Sequence, residues 1–478
     1  MLSIPTLGHL IPFLELAKRI VAFDGFKVSL LVLHTDTSPA IFQLLNNIRL
    51  PKGLEIVKIP PVDISSFVDA CTDIVTRISI IMRESLPQIE SVIINLARAT
   101  ILVVDLFAKG ALDLAADNLC VQKYIFLTSP AGLLAFMMYL PTLDQEVDGE
   151  FVDLKEPIHI PGCNPIQVDD LVDRVLNRKV EEYTWFLYHA SRFPIAHGVL
   201  VNTCEDLEPT SLKALKENPV LGKIPTPPVY PVGPLIKAHN SPAQLENKCI
   251  TWLDMQPKDS VLFVSFGSGG TLSAEQMIEL AYGLELSQQR FIWVVKKPVE
   301  ANNSAGTLFT TGNMEHTNPC DYLPNGFLTS INGVGLVVQS WAPQVEILSH
   351  KSTGGFLSHC GWNSTLESIV NGVPVITWPL FAEQKMNATF LVEELGVAIR
   401  PSVGKDKELV GRVEIGRVVR KVMENTEEGN GLRNKVMEIQ NSVLKALDEG
   451  GSSYNSLSQV LQEWKTNCIV DKIDRKKV

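Results

Sequence analysis

The sequence predicts an α/β protein built from two doubly wound parallel-sheet units, and three observations carry that reading. Short continuous apolar runs alternate with stretches of helical periodicity in both halves, the pattern of strands covered on both faces by crossover helices. At 478 residues the chain is long enough for two domains, each with its own core. A proline-rich stretch at 224–244, IPTPPVYPVGPLIKAHNSPAQ, separates the halves and disfavours regular structure. Two such units facing each other would leave a cleft outside the carboxyl ends of both sheets, where open α/β sheets bind ligands. Functional residues are therefore sought just after strands.

Taken in order, IPTLGHLIPFLELAKRI (4–20) reads as a helix with Leu10, Phe13, Leu14 and Ala17 on its apolar face and His9 at its start. KVSLLVL (27–33), ATILVVDLF (99–107) and YIFLT (124–128) read as buried strands. The segment 124–143 is apolar enough to imitate a membrane span, but Pro130 interrupts it and Pro141 closes it, so a strand followed by a helix is expected, without stable membrane insertion. In the second half SVLFVSF (260–266) is a strand, and Ser273 with Gln276 forms an S-x-x-Q box opening a helix that carries Met277, Leu280, Ala281 and Leu284 at helical spacing. FIWVV (291–295), GLVVQSW (335–341), TGGFLSH (353–359) and VPVITWP (373–379) are further strands, with Gly372 ending a short helix before the last. Residues 300–319 read as a flexible surface insertion. The domain reading is 1–235 for the N-terminal Rossmann-like domain, 236–247 for a linker and 248–455 for the C-terminal one. Residues 456–478 are read as a helix packing back on the N-terminal domain, with a charged tail.

Composition narrows the function. A 45% hydrophobic and 20% charged chain fits a compact protein, and a net charge of −11 without a Lys/Arg cluster argues against nucleic acid as a partner. The eight cysteines are far apart and include no C-x-x-C pair, which suits free thiols in a reducing compartment and offers no zinc spacing. No signal-peptide pattern opens the sequence. The expectation is a cytoplasmic monomer without a metal site.

The stretch STGGFLSHCGWNST (352–365) carries the densest chemistry. Gly361 permits a tight turn and Asn363 or Ser364 can cap the helix that follows, whose N–H groups and positive dipole make an anion site needing no lysine. His359 either adds a hydrogen bond to that anion or is a core histidine bonded to backbone. FGSGG (266–270) brings Ser268 to a second strand end, where a plain βα turn is an equally good reading. In the first half the positive helix end disfavours imidazolium at His9 and favours its proton-accepting form. Asp105 ends an apolar strand, where a carboxylate needs a partner. Asp113 and Asp117 read as surface or structural.

Residues 341–384, WAPQVEILSHKSTGGFLSHCGWNSTLESIVNGVPVITWPLFAEQ, closely resemble the signature box of plant secondary-product UDP-dependent glycosyltransferases, with W-A-P-Q, H-C-G-W-N-S and the final E-Q at the family's spacing. The resemblance implies the GT-B architecture, two facing Rossmann-like domains with the nucleotide sugar held mainly by the second. It implies that Trp341 stacks on uracil and that the Ala342 backbone with Gln344 reads its polar edge. It further implies that Glu367 accepts from the ribose hydroxyls, that His359, Asn363, Ser364 and Ser268 meet the diphosphate, and that Trp362, Glu383 and Gln384 touch the sugar. Gln384 resembles the residue of glucose-using members. The P-x-x-G-H-like start makes His9 resemble the family base and Asp105 the aspartate that orients it, the Asp-His logic of hydrolase triads without the serine. Inverting transfer from UDP-glucose, with no cofactor and no metal, would follow. VVDLF, LPTLDQEV, IPGCNPI and FGSGGTLS are most similar to the subgroup acting on hydroquinone, monolignols and other small phenols. Phe107, Phe136 and Met137 either line the acceptor pocket or belong to the core.

The sequence departs from the family at its start, where only the end of the first strand precedes Pro5 and Thr6 stands where glycine is usual. This keeps a second reading alive, a catalytically impaired nucleotide-sugar binder. A nicotinamide-dependent oxidoreductase would need a G-x-G-x-x-G after the first strand, which IPTLGHL lacks.

Overall fold

Every ladder between the named strands is parallel. The computed structural model describes residues 1–33, 41, 44–46, 48–69, 72–96, 100–117, 121–237, 247–298, 321–404 and 409–474. The expected insertion at 300–319, most of the expected linker and Cys71, Cys120 and Cys320 lie outside these, as do the side chains of Asp117 and Cys468.

The chain divides into two units, Met1–Ile236 with Val443–Val478, and Lys237–Ser442. The first holds a seven-stranded sheet of β1 (Leu2–Ser3), β2 (Val28–Leu33), β3 (Leu54–Ile59), β4 (Ile101–Asp105), β5 (Gln122–Leu127), β6 (Gly198–Val201) and β7 (Val229–Pro231), in the order β3-β2-β1-β4-β5-β6-β7. The second holds six strands, β8 (Val261–Ser265), β9 (Arg290–Val295), β10 (Gly335–Gln339), β11 (Thr353–Ser358), β12 (Val375–Thr377) and β13 (Ala398–Ile399), in the order β10-β9-β8-β11-β12-β13. Both are doubly wound, as the strand rhythm predicts, and both put their central strand ends where the candidate residues lie.

Packing explains where expectation and structure part. The helix Ala274–Ser287 begins as expected, with Ser273 accepting from the Gln276 N–H. The Gln276 side chain does not close the box. It bonds both backbone groups of Val410 at 2.9 Å instead, tying this helix to the start of the neighbouring one, Arg412–Met423. Pro141 does not end its helix: the element runs Ala131–Glu146 with the proline inside. The proline-rich 224–244 stretch contains β7, an edge strand, where a missing N–H is tolerated. The chain returns to the first unit at Val443, earlier than residue 456, because one continuous helix, Glu427–Ala446, carries it across the boundary. The last helix, Ser452–Asp474, buries Leu457, Val460, Leu461 and Trp464 in the same cluster as Phe13, Leu30, Tyr124 and Phe126. No helix among the described residues is long and apolar enough to cross a membrane.

β1 is two residues long, yet it pairs with β2 and with β4, Leu2 standing opposite both Leu31 and Val104. It therefore delivers the chain from mid-sheet into the helix Leu7–Ala22, where Leu10, Phe13, Leu14 and Ala17 are buried as their spacing predicts.

Candidate functional site

In the first unit β4 and the helix Leu7–Ala22 bring His9 and Asp105 together. His9 Nδ1 lies 2.7 Å from Asp105 Oδ2, and since a carboxylate only accepts, Nδ1 carries the proton. The other carboxylate oxygen accepts from the Phe107 N–H at 3.0 Å, so Asp105 is held at both ends although its side chain is wholly buried. Thr128 Oγ1 stands 3.2 Å from the same ring nitrogen, and the His9 side chain remains 22% exposed. Phe107, its ring 5.9 Å from that of His9, is only partly buried, whereas Phe136 and Met137 are fully buried. Asp113 pairs with Arg192 at the surface.

Behind this pair lies a buried lysine that no sequence pattern marks. The Lys109 ammonium donates to the His189 carbonyl and sits 3.2 Å from the centre of the Phe193 ring, with no exposure to solvent. Burial drives its pKa well below the ordinary lysine value, against the pull of the Asp105 charge. His189 is driven down too, first by burial and then by Lys109 and Arg192, and its Nε2 lies 2.9 Å from Ser79 Oγ.

In the second unit the strand-end turn is built differently from expectation. Cys360, with φ +64°, makes the left-handed step, while Gly361 has an ordinary extended φ of −61° and is the N-cap of the helix Trp362–Val370. Neither Asn363 nor Ser364 caps that helix, since both lie inside it. Glycine is required at 361 for space: a Cβ there would stand 2.6 Å from His359 Nε2, and one at Gly267 would stand 2.5 Å from the same ring. The two glycines thus clasp the imidazole. Its Nδ1 is buried without a hydrogen-bond partner among the described residues, which is not how a core histidine bonded to backbone behaves. Burial, then the Lys296 charge, lowers the His359 pKa to about 3, so the ring is neutral. Cys360 is a buried thiol, its Sγ 3.4 Å from the Ser358 carbonyl.

One turn into the helix, Gln344 Nε2 donates to Ser364 Oγ at 2.8 Å and to Glu367 Oε2 at 2.7 Å. The amide nitrogen of the glutamine expected to read a base edge is therefore engaged with Ser364 and Glu367. Burial raises the Glu367 pKa to about 7, opposed by that hydrogen bond and by Lys237. Trp341 is 64% exposed, whereas Ala342 beside it is buried. Trp362 is 3% exposed and packs 6.1 Å from Phe390, and Trp378 lies in the core. Gln384 Oε1 accepts from the N–H groups of Leu380 and Phe381 at 2.9 and 3.1 Å, with Glu383 partly exposed before it.

Ser268 is exposed on the loop after β8. The structure adds Lys296, at the end of β9, whose ammonium donates to the Gly267 carbonyl and, at 2.8 Å, to that of Ser268. Sequence reasoning missed it because the residue lies far along the chain from that loop, and only the β8-β9 pairing joins them. Among the described residues no group of three or more His, Cys, Asp or Glu side chains could hold a metal ion.

Comparison with known proteins bears on these features. Residues 214–408 match the family described as UDP-glucoronosyl and UDP-glucosyl transferase. The chain is 47% identical over 476 residues to anthocyanidin 3-O-glucosyltransferase 5 of Manihot esculenta, covering 99% of this chain and 97% of that one. It is 46% identical to hydroquinone glucosyltransferase of Rauvolfia serpentina, with 97% of each covered. The solved structure of TcCGT1 in complex with UDP superposes with a TM-score of 0.90 at 46% identity, covering 98% of both chains.

Proposed function

The chain belongs to the UDP-dependent glycosyltransferases of the GT-B fold, and from that premise we propose that it transfers glucose from UDP-glucose to a hydroxyl of a small phenol, with inversion, giving a β-O-glucoside. The observation that carries the catalytic part is the hydrogen bond between His9 and the buried Asp105. With Nδ1 committed to the carboxylate, Nε2 is the nitrogen that accepts the proton of the acceptor hydroxyl, and Asp105 stabilises the imidazolium that forms. The acceptor oxygen bonds to the anomeric carbon from the face opposite UDP. The bond from that carbon to the diphosphate oxygen breaks, and UDP leaves with the electron pair.

On the donor side Trp341, a large exposed ring at a strand end, is suited to stack on uracil. Glu367 accepts from the ribose hydroxyls, and Gln344, whose amide nitrogen orients that carboxyl, reads the polar edge of the base with the Ala342 backbone. Neutral His359, Asn363, Ser364, Ser268 and the helix N-terminus receive the diphosphate. Trp362 acts through its backbone, because its ring is buried. Gln384, its oxygen taken by two backbone N–H groups, turns its amide nitrogen with Glu383 toward the sugar. Phenols are favoured as acceptors by the Phe107 ring beside His9 and by the similarity to the hydroquinone enzyme. A cytosolic setting suits the free cysteines 204, 249 and 360.

The test is UDP-glucose supplied with a panel of phenols and analysis of the products. A β-glucoside is expected, and its absence across the panel would reject the reading. His9→Ala should lower kcat by about 10²- to 10⁴-fold while UDP-glucose still binds. Turnover unchanged by that substitution would remove His9 from the role of base. Donor binding by the parent chain without any turnover would instead support the impaired binder.

A further inference from the structure

We propose that Lys296 is the fixed cation of the diphosphate subsite, acting directly on the leaving group. The inference rests on the donor-site reading above and adds a charge to it. An acidic chain was expected to hold a diphosphate with backbone N–H groups, His359, Asn363, Ser364 and Ser268 and to need no lysine, yet the structure puts an ammonium against the loop that carries Ser268. β9 lies beside β8 in the sheet, so Lys296, the residue after β9, reaches the loop after β8. Its Nζ binds the carbonyls of Gly267 and Ser268. Two carbonyl oxygens near an incoming anion would repel it, and the ammonium neutralises that field and fixes the loop.

The connection to the anion site is continuous. Gly267 packs against the His359 ring, Gly361 packs on the same ring, and Gly361 caps the helix Trp362–Val370. The Lys296 charge is felt at His359. An ammonium has three N–H donors, and two meet the loop carbonyls. Among the described residues neither a third acceptor nor a carboxylate ion pair completes the group. Lys296 is partly buried, and a cation taken part-way out of water without a counter-ion is favoured once an anion arrives. The unpartnered His359 Nδ1 is an independent sign that the same space awaits a hydrogen-bonding ligand.

A consequence follows for protons. Burial lowers the Lys296 pKa to about 8, and no charged side chain among the described residues counteracts it. The titratable group that faces it is His359, which is neutral and contributes nothing near that pH. A bound diphosphate favours the ammonium, so at pH 9 binding should draw a proton from solution, and at pH values well below 8 it should draw none through this lysine.

The experiment is calorimetric titration of UDP into the full chain at pH 9, in two buffers of different ionisation enthalpy. The parent should take up a substantial fraction of a proton. Lys296→Arg, charged at every pH used, should bind UDP within a few-fold of the parent with no uptake. Lys296→Met should bind about 10- to 100-fold more weakly, the loss expected for a hydrogen-bonded charge, also with no uptake. Equal affinity in Lys296→Met, or undiminished uptake in Lys296→Arg, overturns the proposal and leaves the donor site standing. Failure of the parent itself to bind UDP overturns the donor-site reading and this inference with it. Should Lys296→Met not fold, the comparison of parent with Lys296→Arg still decides.

Discussion

Burial makes the Glu367 carboxyl hold its proton more tightly than an ordinary glutamate, and the Gln344 amide that donates to it only partly offsets this. Its pKa of about 7, raised by burial, means that in the empty protein it is about half ionised at neutral pH. Ribose hydroxyls donate to the carboxylate and so favour the ionised form, which moves its pKa below 7 on binding. The sign then follows: donor affinity rises as pH rises through 7 and falls as pH drops below it, by at most about tenfold per pH unit for one group. UDP-glucose is the ligand to use, because its diphosphate is doubly esterified and has no ionisation in this window. Its Kd should weaken from pH 7.5 to 5.5 in the parent and stay flat in Glu367→Gln. An equally steep profile in that variant would assign the titration elsewhere. His359, with its pKa near 3, cannot supply it. At this scale the contact between His9 and Asp105 was legible in the sequence, and the construction of the turn around His359 was not. Cys360 serves as a left-handed corner, while Gly361 looked like the corner and serves as clearance for His359. Lys296 was invisible because its meaning depends on which strand lies beside which.

The elements repeat one device. Ser340, Cys360 and Ala382 all have positive φ without being glycine, and each immediately precedes a segment of the proposed donor site, at Trp341, at Gly361-Trp362 and at Glu383-Gln384. Backbone in this region is unfavourable for side-chain-bearing residues, by about 1–2 kcal/mol, and persists where the surroundings over-determine it. Helix and strand existence was legible from periodicity, because both sheets are buried on two faces and leave continuous apolar runs. These corners were not legible, since they depend on packing between a strand end and the helix after it. Gly267 tests how far the corner geometry governs binding. It has φ +72°, and a Cβ would run into the His359 ring. Gly267→Ala should therefore displace His359 and weaken UDP-glucose binding by about tenfold or more, with strain of at least about 1 kcal/mol. The chain should remain folded by circular dichroism, because the loop lies outside the strands. Unchanged donor affinity would show that the clasp around His359 does not matter for binding.

At the scale of the whole chain, each unit has its own sheet and core, but the first is completed by the end of the sequence. The proline-rich stretch marked the division because prolines cluster there, and β7 escaped notice for the same reason: an edge strand tolerates them. The chain re-enters the first unit at Val443, inside the helix Glu427–Ala446, where no break in the pattern marks the point. Trp464 is the keystone of that return. It is 3% exposed, meets the Tyr124 ring edge-on at 5.0 Å and lies near Phe26, while Glu463 beside it accepts from the Tyr230 hydroxyl at 2.6 Å. Truncating a buried tryptophan costs about 3–5 kcal/mol, a large fraction of the stability of one domain. Trp464→Ala should therefore raise hydrogen exchange in β2, β4 and β5 of the first unit, whose central strands surround that cluster. Protection of β8, β9 and β11 should stay at the parent's level, and UDP-glucose should still slow exchange in the loop after β8. Loss of protection spread equally over both sheets would mean that the two cores unfold as one, and that the C-terminal helix stabilises the whole chain rather than the unit it packs in.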